Sequence, residues 1–415
     1  MTLPVTFEDI EKAQEQLSGK ILRTPTIPAP ALGQALGIDL TLKLENLQLT
    51  GSFKSRGAYV KLSSLNAEER ARGVIAMSAG NHAQGVAYHA TALSIHSTIV
   101  MPAATPFTKV EKTRNYGAQV VQFGATLAES RDKVEELIAE HGYVLIHPYD
   151  DPMIIAGQGT AGLELMQDAG AAGAIETLVV PIGGGGLISG MAIAAKKFNP
   201  AIEIIGVQSE QFPSMYAALR GQPPRFGGET LAEGIAVKIP GAMTTEICRT
   251  LVDDIILVDE IEIERAVNGC AEHQNLVAEG AGAAGIAAMI KAPERFAGKR
   301  VASVICGGNI DQRMLATVLL RGLTRHGRLA RLRIDITDQP GTLARVAGLI
   351  GRSGANIVEV HHQRMFQDVP IKQAELEVLI ETRNPDHVLE IVAALDAEGL
   401  KTSVLSNMAM EGRPL

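Results

Sequence analysis

The chain has no tryptophan, only three cysteines, no long basic run and no apolar segment at its start. Each absence excludes something. Cys248, Cys270 and Cys306 are too few and too scattered for a disulfide framework or a CxxC metal site, which fits a reducing compartment and predicts no bound metal. A net charge of −8 over 415 residues argues against a nucleic-acid or anionic-membrane surface, so the expected partners are small molecules. The opening "MTLPVTFEDIEKAQ" is acidic and lacks the apolar core of a secretion signal, and the expected location is cytoplasmic. The uncharged run from Leu178 to Ala195 is long enough to suggest a membrane span. It contains "PIGGGG", however, and a proline with four consecutive glycines predicts a strand, a loop and a helix instead.

What is present is apolar and glycine-rich. With 46% hydrophobic residues and 42 glycines, the composition suits an α/β enzyme of two or three domains, one of them large. Short β-branched runs alternate with longer helical patterns: "GVIAMS" then "NHAQGVAYHATAL", "STIVMP" then "FTKVEKTRNYG", "ETLVVPIGG" then "GLISGMAIAAKKF". That spacing predicts parallel βαβ units with helices on both faces of the sheet and ligands at the carboxyl ends of its strands. The pattern closes with "RVASVICGGN" and the helix "DQRMLATVLLRGL". The basic connector "RHGRLARLR" then places a domain boundary near residue 327, giving domains 1–326 and 327–415. The second domain reads strand, helix, strand, strand, helix, strand, an α+β sandwich of the ferredoxin-like kind.

Four segments carry the chemistry. Lys54 stands in "TGSFKSRGA", after an aromatic and between two glycines. "SAGNHAQG" (Ser78 to Gly85), "PIGGGGL" (Pro181 to Leu187) and "CGGN" (Cys306 to Asn309) each follow an apolar strand pattern and precede a helix. A lone lysine is mostly a solvated surface charge, and a lone glycine run is as often a tight turn as a ligand loop. The four-glycine run nevertheless suits an anion, because glycines let successive N–H groups turn inward and the helix beginning near Leu187 adds its positive end. It is neither a GxGxxG dinucleotide fingerprint nor a Walker loop, so the phosphate belongs to a smaller cofactor. A lysine amine, a phosphate cup and an asparagine together point to pyridoxal 5'-phosphate, whose aldehyde forms a Schiff base with a lysine.

"GSFKSRGA", "SAGNHAQG", "GGGGL" and "CGGN", in that order, resemble the motif set of the threonine/serine dehydratase family. These are fold-type II pyridoxal-phosphate enzymes with the tryptophan-synthase β-like architecture, a two-subdomain parallel-sheet catalytic domain. The resemblance spans roughly residues 5 to 325. It implies that Lys54 carries the cofactor and moves the Cα proton, that Phe53 packs at the ring, and that Asn81 bonds the ring hydroxyl. It further implies that Gly183, Gly184, Gly185, Gly186 and Leu187 hold the phosphate and that Cys306 faces the pyridine nitrogen. A thiol there cannot hold the ring strongly protonated, which favours immediate β-elimination over transamination. The substrate carboxylate would lie on Ser78, Ala79, Gly80, Asn81 and His82, at a helix start suited to an anion. The implied activity is dehydration and deamination of L-threonine to 2-oxobutanoate and ammonia. Serine or hydroxyaspartate dehydration, serine racemisation and a non-catalytic amino-acid sensor are the alternatives. Racemases of this family carry a serine where this chain has Ala79, and alanine cannot deliver a proton. Some members bind a cation through a glutamate after the strand that here reads "IIGVQSE"; this chain has Gln208 there and Glu210 two residues on, so no metal ligand is carried over.

"IDITDQPGTLARVAGLIGRSGANIVEV" resembles an ACT domain, a regulatory module that commonly binds amino acids between paired copies. The loop Asp338 to Leu343 turns through Pro340 and Gly341 into a helix start suited to a carboxylate, and Asn356 would line the same place. The resemblance implies an amino-acid effector, expected to be isoleucine, and a homodimer or homotetramer. His361 and His362 are adjacent in a strand, point to opposite faces and are read as ordinary strand residues.

Overall fold

The alternating pattern folds into two parallel sheets in the first part of the chain and one antiparallel sheet in the second. A computed structural model describes residues 3–169, 175–337, 339–363 and 373–405. The first sheet has the order Thr26–Pro28, Asp39–Lys43, Arg300–Val304, Thr177–Pro181, Glu203–Ser209, Asp254–Val258, and only its outermost pair is antiparallel. The second runs Gln119–Gln122, Ser97–Met101, Val74–Met77, Val144–Leu145, all parallel. Thr177–Pro181 is buried throughout, as a strand covered on both faces must be. Among the described residues no helix is long and apolar enough to cross a membrane.

A central post between the sheets is the helix Pro152–Asp168. Its start is fixed by Asp151, whose side chain accepts from the N–H groups of Met153 and Ile154, and by proline in its first turn. Every residue from Ile154 to Met166 is buried. Small residues let its neighbours approach closely. A Cβ on Gly157 would lie 2.6 Å from the Cα of Gly57 in the helix Lys54–Ser63, and one on Gly190 would lie 2.4 Å from the Ile155 carbonyl. Lys54 therefore begins a helix that is pressed against the post.

The same contact buries an ion cluster. The Arg56 guanidinium is bidentate to Glu45 (Nε and Nη2, both 2.8 Å) and to Glu164 (Nη1 and Nη2, both 2.8 Å), and it also reaches Thr160 at 3.0 Å. Lys43 donates to Glu164 and to the Thr24 carbonyl, each at 2.7 Å. Arg56, Lys43 and Glu45 have no exposed surface. Burial opposes the charge of Arg56, but Glu45 and Glu164 outweigh it and raise its pKa. Burial likewise pushes Glu45 upward, and Arg56 overcomes this and holds its carboxyl below the usual range.

The two compact units divide between Ile310 and Asp311. The helix Gln312–Arg325 thus falls in the second unit, where Leu320 and Leu323 line a groove of about 260 Å³ with Leu329, Val358 and Leu379. The sequence reading closed the first domain after that helix, at 326. In the second unit the sheet order is Asn356–Gln363, Gln373–Glu381, Leu329–Thr337, Thr402–Val404. Helices Thr342–Arg352 and Pro385–Ala397 bury Val346, Leu349, Ile350, Val388, Ile391 and Leu395 in a core with Leu332, Ile334, Leu376, Val378 and Ile380. This is the ferredoxin-like order expected of an ACT domain.

Removing one partner of the buried cluster strands the others without compensation. Arg56→Ala should lower unfolding stability by about 3–5 kcal/mol in urea titrations. A loss below about 1 kcal/mol, the worth of an exposed pair, would contradict this account of the cluster.

Candidate active site

The segment around Lys54 is zipped along "CGGN". Ser52 bridges Gly307, the N–H of Phe53 donates to the Cys306 carbonyl at 3.1 Å, and the N–H of Gly308 donates to the Gly51 carbonyl at 3.0 Å. Asn309 adds a side-chain bond to the Thr50 carbonyl at 2.7 Å. Lys54 and Cys306, far apart in sequence, thereby share one site beyond the carboxyl end of the strand Arg300–Val304.

Lys54 Nζ donates to the Pro148 carbonyl at 2.7 Å and lies 5.1 Å from the centre of the Phe53 ring. Burial lowers its pKa to about 8. A fraction of the amine is therefore neutral near pH 7 and nucleophilic. Burial pushes the Cys306 thiol far above its ordinary pKa, and its S–H points to the Ala281 carbonyl at 3.4 Å. It stays a neutral thiol.

The glycine run leaves the buried strand Thr177–Pro181 and opens the helix Gly186–Phe198, which has no side-chain cap. Gly185 has φ +99°, a left-handed conformation that favours glycine. Gly184 is held by its surroundings: its carbonyl accepts from Thr244 Oγ1 at 2.6 Å, and a Cβ on it would lie 2.1 Å from Tyr149 Cγ. Tyr149 is itself pinned, donating its hydroxyl to the Ile239 carbonyl at 2.8 Å. Uncapped amides in a cradle that only glycine fits, beside a half-buried amine and a neutral thiol, suit pyridoxal phosphate. Gly183 to Leu187 would hold its phosphate and Lys54 its aldehyde carbon.

The loop Ser78 to Gly80 follows the strand Val74–Met77 and leads into the helix Asn81–Ala92, again without a side-chain cap. Ser78 Oγ accepts from the N–H of Gly80 at 3.1 Å. Ala79 offers no polar side-chain atom. The ring of His82 turns inward to the Ile146 carbonyl at 2.8 Å, and burial drops its pKa to about 3. Its neutral side chain is thus already engaged, and only its backbone could serve a substrate carboxylate. Gln208 is buried, bonded to Ile182 and Ser214 and accepting from Tyr216, while Glu210 takes the Lys291 ammonium at 2.7 Å. Among the described residues no cluster of three or more His, Cys, Asp or Glu could hold a metal.

In the second unit Gly341 has φ +89° and begins the helix Thr342–Arg352 without a side-chain cap. Leu343 and Pro340 are exposed, and Asn356 opens its strand opposite Glu381. Asp338 lies outside the described residues.

Sequence reasoning missed Glu279, Asp150 and Tyr149. Glu279 is half-buried and accepts from Asn81 Nδ2 at 2.7 Å. Asp150 caps the helix Ala242–Leu251 by accepting from the N–H groups of Ala242, Met243 and Thr244. One signal was available: Glu279 is the only charge between residues 275 and 290.

A lysine amine, a glycine cradle and a thiol at the carboxyl ends of parallel strands define a pyridoxal-phosphate enzyme of the α/β class. Residues 17–307 match the family of pyridoxal-phosphate-dependent enzymes, and residues 330–398 match the ACT domain. The chain belongs to that enzyme family and carries an ACT domain. It is 45% identical over 403 residues, 97% of this chain and 100% of the relative, to an L-threonine ammonia-lyase of Thermotoga maritima. Among solved structures, a T.th. threonine deaminase is 38% identical with a TM-score of 0.70, covering 74% of this chain and 99% of that one. Serine racemase from Dictyostelium discoideum is 35% identical with a TM-score of 0.68, at 74% and 99% coverage.

Gly184→Ala forces a methyl group into the Tyr149 ring. The variant should bind pyridoxal phosphate about tenfold or more weakly, measured by equilibrium dialysis of the apoprotein. Wild-type affinity would show that the cradle is not set by this contact.

Proposed function

We propose that the protein is a threonine ammonia-lyase, converting L-threonine to 2-oxobutanoate and ammonia by β-elimination. What carries the reading is Lys54, a half-buried amine of lowered pKa, 2.7 Å from the Pro148 carbonyl and facing the "CGGN" loop, in a chain similar from end to end to an L-threonine ammonia-lyase. When bound, pyridoxal phosphate supplies the electron sink that acidifies the substrate Cα–H. The amides of Ser78 to His82, at an uncapped helix start, receive the carboxylate. With the cofactor bound, Asn81 would face the ring oxygen, Phe53 would pack at the ring, and Cys306, neutral, would face the ring nitrogen and leave it weakly protonated. Lys54 takes the Cα proton and can return it to the departing β-hydroxyl, which leaves as water, and the released enamine tautomerises and takes up water to give the ketoacid and ammonia. Ala79 places no acid on the face opposite Lys54, which favours elimination over racemisation.

The ACT domain supports regulation by an amino acid; isoleucine as the effector, and a place in isoleucine biosynthesis, are what the sequence resemblance implies. The effector carboxylate would lie on the loop Asp338 to Leu343, with Asn356 beside it, and paired ACT domains would make a cytoplasmic homodimer or homotetramer. Coupling requires the effector to bind two states of the protein unequally.

The test is ketoacid release from threonine, serine and hydroxyaspartate, with and without isoleucine. Threonine should be the best substrate, and Lys54→Ala should lower its turnover about a thousandfold or more. Gly341→Val, at φ +89°, should blunt the isoleucine response while basal turnover persists, because a β-branched residue is strained there by about 1–2 kcal/mol. A preference for serine, or a wild type indifferent to isoleucine, would reject the corresponding half of the reading.

A further inference from the structure

Glu279 ends a directed chain of hydrogen bonds. Lys112 Nζ donates to Asn309 Oδ1 at 2.6 Å, Asn309 Nδ2 donates to Asn81 Oδ1 at 2.8 Å, and Asn81 Nδ2 donates to Glu279 Oε1 at 2.7 Å. The direction is forced from one end. An ammonium can only donate, so Asn309 must turn its oxygen to Lys112 and its NH2 to Asn81 and the Thr50 carbonyl. Asn81 must then turn its own NH2 outward, giving one hydrogen to Glu279 and keeping the other. The chain also accounts for a glycine in "CGGN": a Cβ on Gly307 would lie 2.3 Å from Glu279 Oε1, and the Gly307 carbonyl accepts from the N–H of Glu279 at 3.0 Å.

We propose that Glu279 is a positioning residue whose carboxyl group, with Lys112 and Asn309, fixes the rotation of the Asn81 amide and, by its ionisation, sets how strongly the remaining Asn81 N–H favours a negative ring oxygen on the cofactor. The proposal rests on the reading above that Asn81 faces that oxygen. Glu279 ionises in the working range: burial pushes its pKa up to about 7 against the opposing Asn81 bond. Around it, Glu233 raises the value, Lys109 and Lys112 lower it, and Cys306 faces it as a neutral thiol. Below the midpoint the neutral carboxyl leaves Asn81 free to support an ionised ring oxygen. Above it the added negative charge opposes that oxygen's ionisation.

The test is the visible absorbance of the substrate-free holoenzyme titrated from about pH 5.5 to about pH 9, a span that brackets the Glu279 midpoint. Wild type should show a step with a midpoint of about 7. Glu279→Gln still accepts from Asn81 but cannot ionise, so it should keep the bound cofactor and lose the step. Lys112→Met removes a cation that stabilises the carboxylate, so its midpoint should move up by about half a pH unit. A step that persists in Glu279→Gln, no step in wild type, or a Lys112→Met midpoint that stays or falls would overturn the proposal. If Glu279→Gln does not fold, the Lys112→Met shift decides alone. A wild type with the step but no threonine turnover would sink the assigned substrate and leave the relay standing. A wild type with no cofactor band would sink both.

Discussion

Two residues beyond Lys54, the Arg56 guanidinium lies wholly inside the protein between two carboxylates. Helix Lys54–Ser63 can begin where it does only because that charge is met on both sides. Glu45 stands just after the strand Asp39–Lys43 and Glu164 on the central post, so one side chain ties three elements together. Glycines at the crossing with the post let the helix come close enough for the pair to close. A buried charge with both partners in place adds little net stability, but one with a partner missing is costly. The cluster therefore acts chiefly as a register device, rejecting arrangements in which Lys54 sits elsewhere.

From that fixed start the site is built of groups whose charge burial suppresses. Burial lowers the Lys54 pKa toward neutrality, keeps the Cys306 thiol protonated and keeps the His82 ring neutral. An anionic cofactor and a substrate carboxylate would then be received by backbone amides and helix ends, as proposed for Gly183 to Leu187 and Ser78 to His82. Such dipoles are preorganised and need no rearrangement as charge develops. Glu279 and Lys112, at the two ends of the Asn81 chain, are the exception.

The strands Val74–Met77, Ser97–Met101, Thr177–Pro181 and Arg300–Val304 and the loops that follow them were legible, because each rests on a local pattern: a β-branched run, a glycine run, a helix start; the short strands Thr26–Pro28, Asp39–Lys43, Val144–Leu145 and Asp254–Val258 were not. The two-sheet division and the partners were not. Arg56 stands inside the most informative motif, yet its meaning lies in Glu164, 108 residues away. Asn81 and Glu279 are 198 apart. No local pattern encodes such a pairing. His82 was expected among the residues that receive the substrate carboxylate, but Ile146 claims its ring, a competition that only the folded chain reveals. The boundary placed at 326 was read from a change of composition, whereas the helix Gln312–Arg325 falls with the second unit, beside Leu329 and Leu379.

The central claim is that the fold delivers one amine, that of Lys54, to the cofactor's aldehyde carbon. Borohydride reduction of the purified holoenzyme, followed by proteolysis and mass spectrometry of the peptides, tests it directly. The account predicts a phosphopyridoxyl group on the peptide containing "TGSFKSRGA", attached to Lys54. The same group on Lys112, Lys109 or any other lysine, with Lys54 unmodified, would contradict it.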